Sequence, residues 1–161
     1  MLRHVDYTSK AMNTQSPNQD PQQNIELRMR TLRTLWIALF LSVGIYFLFT
    51  IFKGRSGEVA TDSTLSLILM AVAVSTTLIS FLLKNKMLSR ATQERQVSLV
   101  QQAYVIAWAM TEVAALLGML DSFVTRDPYY YLFFVIAAVG FLLHYPRREH
   151  VENAAFKGAS F

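Results

Sequence analysis

An all-α, four-pass transmembrane helix bundle is the fold this sequence predicts, and three observations predict it. The chain holds four apolar runs, about 34–52, 64–83, 103–120 and 129–145. Each approaches the roughly 20 helical residues that cross a hydrocarbon core about 30 Å thick. The charges fall between these runs and not within them, with one exception. The composition is 53% hydrophobic and 16% charged, with a mean hydropathy of +0.30, which is too apolar for an ordinary soluble domain. The runs lack the alternating pattern of barrel strands and are too long for them.

Residues 1–27 are polar and rich in Gln, Asn and Pro, so they are expected to form a disordered tail. The helical domain is expected to occupy 28–146. Its first apolar run begins only after Arg33, too late for a cleavable leader, so that helix should serve as its own anchor. The second run ends before Lys84, and the third spans 103–120. Pro128 and Pro146 bracket the fourth, consistent with proline at a helix start and just past a helix end. Residues 147–161 read as a short C-terminal tail.

Basic residues set the orientation. Arg28, Arg30 and Arg33 precede the first run, Lys84, Lys86, Arg90 and Arg95 fill the middle connection, and Arg147, Arg148 and Lys157 follow the fourth. The opposite side carries Lys53, Arg55 and Arg126. The positive-inside rule then places both termini and a long middle loop in the cytoplasm of a cell membrane. Tyr129, Tyr130, Tyr131 and Tyr145 mark the two headgroup levels of the fourth run.

The exception is Glu112, near the middle of the third run. A charge at mid-depth costs about 2.5–3.5 kcal/mol on insertion scales, so such a residue is a functional candidate by default. Counting equal depths from the cytoplasmic side brings Ser42 of the first run and Ser75, Thr76 and Thr77 of the second to its level. These hydroxyls are the expected partners of a neutral, hydrogen-bonded carboxyl, or of one that binds a proton or cation. Ala107, Thr111 and Ala115, with Gly118, form a small-residue stripe that suits close helix packing.

Other chemistry is sparse. The absence of cysteine excludes a disulfide framework and a thiolate metal site. His4, His144 and His150 offer no ligand spacing, and Asp121 and Asp127 are expected to be solvated charges. No nucleophile or phosphate-loop motif is present, so neither an enzymatic activity nor a cofactor is expected. The basic clusters are topology signals and imply no nucleic-acid partner.

Arg95, Gln96 and then SLVQQAYVIAWAMTEVAALLGML resemble the carboxyl-bearing helix of the rotor proteolipid, the c subunit of rotary ATPases. Glu112 matches that family's mid-membrane carboxyl and Gly118 its following glycine. The resemblance covers residues 95–119 and implies that Glu112 exchanges protons or is hydrogen-bonded within a helix bundle. It stops there, since Leu65–Leu83 has no glycine where the family's preceding helix repeats one at every fourth position.

Two functions follow as expectations. The first is a structural or accessory subunit of a larger membrane complex, with a membrane-protein partner or further copies of itself in the bilayer. The alternative is a proton- or cation-coupled carrier or channel component that uses Glu112.

Overall fold

The computed structural model describes residues 21–53 and 63–156, and every regular element among them is a helix. These are α1 (Pro21–Lys53), α2 (Ser63–Glu94), α3 (Val97–Val124), α4 (Tyr131–Leu143) and α5 (Arg148–Phe156). At 1.5 Å per residue the first three are about 50, 48 and 42 Å long, and α4 about 20 Å. Three helices, α1 to α3, are long and apolar enough to cross a membrane.

The helices outrun the apolar segments, which corrects three expectations. The polar stretch before the first run is partly helical, because α1 starts at Pro21, where a missing N–H costs nothing. Ile25, Met29 and Leu32, spaced i, i+4 and i+7, give this extension a buried apolar stripe. Residues 1–20, the rest of the expected tail, lie outside the described residues.

The middle loop is instead a helical hairpin. α2 continues to Glu94, and the chain reverses over Arg95 and Gln96 alone. Arg95 takes a left-handed φ of 54°, and the Gln96 N–H bonds back to Ala91 O at 3.1 Å, the pattern that closes a helix C-terminus. The expected C-terminal tail also folds, since α5 buries Val151 and Ala154 against the bundle. Residues 157–161 and the connection 54–62 lie outside the described residues.

The fourth run is shorter as a helix than as an apolar segment. Two tight turns lead into it, with Leu132 N bonding Tyr129 O at 3.0 Å and Phe133 N bonding Tyr130 O at 3.2 Å.

α3 is the central helix and touches all four others, whereas α1 and α2 do not meet among the described residues. Its buried face runs through Ala103, Ala107, Thr111, Ala114, Ala115, Gly118 and Asp121. The small side chains let α4 lie close. A Cβ built on Gly118 would stand 2.5 Å from Phe133 Cβ, and one on Gly140 2.6 Å from Thr111 Cγ2.

Candidate functional site

Glu112 lies half-buried on α3 and turns toward α1. Ser42 and Tyr46, one helical turn apart on α1, both reach its Oε1, at 2.8 and 3.1 Å. Their i, i+4 spacing puts them on one face. The carboxyl therefore ties the peripheral helix to the central one. Trp36 Nε1 adds a second polar tie from α1, to Phe141 O at 2.9 Å.

The hydroxyl proton of Ser42 has two acceptors. Its Oγ lies 2.6 Å from Leu39 O and 2.8 Å from Glu112 Oε1. With a protonated carboxyl, Glu112 donates to Ser42 and Ser42 to Leu39, so each bond has its own proton. With a carboxylate, Ser42 must divide one proton between the two. The site accommodates either form by turning a hydroxyl.

The expected partners on α2 are elsewhere. Thr76 Oγ1 donates to Val72 O at 2.8 Å and Thr77 Oγ1 to Ala73 O at 2.9 Å, the ordinary back-bonding of threonine within a helix. Ser75 is exposed on the outer face of α2. Equal depth fixed the level of these residues but not the side of α3 that Glu112 faces. Thr111 points toward α4, where its methyl lies against Gly140. Glu112, about 100° further round the helix, faces α1. Tyr46 was missed by the depth count, and its one available signal was the i, i+4 step from Ser42. Ala107, Thr111, Ala115 and Gly118 are all buried.

A groove of about 420 Å³ opens between α1 and α4. Phe40, Val43, Gly44, Phe47, Phe134 and Val135 line it, and Glu112 does not.

Two further polar groups close the ends of the bundle. At one end Asp121 is fully buried, which corrects the expectation of a solvated charge. Its Oδ1 accepts from Thr125 Oγ1 at 2.7 Å and its Oδ2 from Ser66 Oγ at 3.2 Å, so it links α2 to the end of α3. The readable signal was that Asp121 continues the stripe Ala107, Thr111, Ala114, Gly118 at steps of three and four.

At the other end His144 is fully buried, with its ring 4.1 Å from that of Phe81. Ser80 Oγ donates to Thr77 O at 2.6 Å and lies within hydrogen-bond distance of His144 Nε2 at 2.8 Å. His144 Nδ1 is buried and has no hydrogen-bond partner among the described residues. Trp108 Nε1 donates to His144 O at 3.0 Å. Beside them Tyr104 OH accepts from the Arg147 N–H at 3.1 Å and shares a hydrogen bond with His150 Nδ1.

Burial, and then the charges of Lys84 and Arg147, push His150 below the usual imidazole range, against a smaller upward pull from Glu149. The folded chain therefore takes up this proton less readily than the unfolded chain. Its contribution to stability is complete above about pH 6.5 and is lost as pH falls below that value toward the lowered folded one. The unfolding midpoint in detergent should fall between pH 7.5 and 5.5, and His150→Gln should give a shallower slope. An unchanged slope in that variant would contradict the assignment.

Among the described residues no group of three His, Asp or Glu side chains could hold a metal. Comparison of the chain with protein-family models, characterised proteins and solved structures gives no match.

Proposed function

We propose that this protein is a four-pass integral membrane protein acting as a small accessory subunit of a larger membrane complex, with Glu112 as the hydrogen-bonding anchor of α1. The α1–α4 groove carries the reading. It is apolar, faces outward, and contains Gly44, around whose Cβ position nothing lies within 4 Å. An exposed glycine in a membrane helix permits another helix to approach closely. Counting α4 as the fourth crossing rests on its antiparallel run along α3, from Trp108 against His144 to Gly118 against Phe133. Its short length calls for local thinning of the bilayer or for the flanking turns. The basic residues favour the orientation with both termini in the cytoplasm.

The test is the native mass and composition of the tagged chain after gentle solubilisation, beside those of Gly44→Leu. Larger unrelated subunits that co-migrate with the wild type and are lost from a folded Gly44→Leu support the reading. Recovery of the wild type alone contradicts it.

The two-acceptor arrangement at Ser42 favours a second reading, a proton- or cation-coupled component in which Glu112 exchanges the ion. The resemblance to the proteolipid helix points the same way. Carbodiimide labelling of Glu112 that declines at high pH or with sodium supports this alternative, and inertness at every pH counts against it.

A further inference from the structure

Lys84 is 7% exposed and sits where α2, α3 and the junction of α4 with α5 meet. Its Nζ lies 5.7 Å from the ring centroids of both Phe81 and Tyr104. Cation–π contacts of this kind hold an ammonium in place without neutralising it. No carboxylate among the described residues pairs with it. The ion pairs among the described residues, Arg90–Glu94 and Arg148–Glu152, are both exposed and within single helices.

The surroundings add positive charge. Tyr104 joins the Arg147 backbone to His150, and both residues act electrostatically on Lys84 or receive its field. Tyr104 engages His150 at Nδ1, so that contact leaves Nε2, the other ring nitrogen, unoccupied by Tyr104. The α5 N-terminus begins at Arg148 and brings its own partial positive charge. Glu149, whose charge acts on His150, is exposed and forms no ion pair among the described residues. A held cation with a buried stem, with Arg147 and His150 within its field and no counterion among the described residues, is half of an ion pair.

We propose that Lys84, Arg147 and His150 form a binding site for a phosphate group, supplied by the headgroup of an anionic phospholipid or by a soluble phosphate. Basic pockets between membrane helices on the cytoplasmic side take anionic headgroups by this chemistry. The inference does not depend on the role of Glu112.

The full-length chain, purified in mild detergent, would be mixed with phosphatidylglycerol or phosphatidylcholine and its retained lipids measured by native mass spectrometry. Wild type should retain phosphatidylglycerol at least fivefold over phosphatidylcholine. Lys84→Met keeps the apolar stem and should lose that preference, while Lys84→Arg should keep it. Circular dichroism and a thermal melt would establish that each variant is folded. Should Lys84→Met not fold, Arg147→Gln with His150→Gln takes its place and should lower the preference at least threefold.

Inorganic phosphate at millimolar concentration distinguishes the two sources. Release of the lipid by phosphate would assign the site to soluble phosphates as well, and persistence of the lipid would assign it to the headgroup. Equal retention of both lipids by the wild type, or an unchanged preference in folded variants, would overturn the proposal.

Discussion

Valine at position 118 or 140 is expected to separate α3 from α4 and to lower the unfolding midpoint of the purified protein more than any other single apolar substitution in the bundle. The Cβ of residue 118 would stand 2.5 Å from Phe133 Cβ. That atom is fixed to the backbone of α4, so rotation of the phenylalanine ring gives no relief. At 140 the clash is with Thr111 Cγ2 at 2.6 Å, and Thr111 is held by its own bond to Ala107 O at 2.8 Å. Overpacking of this kind costs about 1–3 kcal/mol, and more where a helix must move as a body. Gly44→Val is the control, since nothing lies within 4 Å of its Cβ position. Equal midpoints for the three variants in a detergent melt would contradict the close approach of α3 and α4.

Glu112→Ala is expected to loosen α1 while leaving the α2–α3–α4 group folded. The substitution removes the acceptor of Tyr46 and one of the two acceptors of Ser42. Each lost interhelical bond in a membrane is worth about 0.6–2 kcal/mol. The remaining ties of α1 are the Trp36 bond to Phe141 O and ring contacts such as Phe40 with Phe141 and Phe47 with Phe134. Hydrogen exchange should therefore rise in Leu39–Thr50 and stay unchanged in α4. Glu112→Gln keeps a carbonyl acceptor for both hydroxyls and should show little of this effect. A uniform rise across all helices, or none anywhere, would contradict the anchoring role.

The all-α class and the three long apolar helices were legible because each rests on a run of apolar residues, a signal summed over many positions. The parts that were not legible depend on single residues. The helical starts and ends outside the apolar runs rest on sparse stripes such as Ile25, Met29 and Leu32, which a hydropathy average over polar neighbours conceals. The hairpin at Arg95 and Gln96 contains no glycine or proline to announce a turn, because arginine itself occupies the left-handed position.

At the site, depth along a helix was readable and rotation about its axis was not. Ser42 was reached by depth, and the structure brings it to Glu112. Ser75, Thr76 and Thr77 stand at a similar depth, yet they belong to α2, which packs on another side of α3. Asp121 was misjudged for a related reason. It lies past the last apolar residue of its run, where a carboxylate is usually solvated, but the turn of the helix carries it into the contact with Ser66 and Thr125.

The most direct measurement of the central claim, that the Glu112 carboxyl joins α1 to α3 through Ser42, is a double-mutant cycle. Ser42→Ala, Glu112→Ala and the double variant would be compared with the wild type by reversible unfolding in detergent. The account predicts a coupling energy of about 0.6–2 kcal/mol between the two positions. Strict additivity, with Ser42→Ala costing as much beside alanine at 112 as beside glutamate, would contradict it.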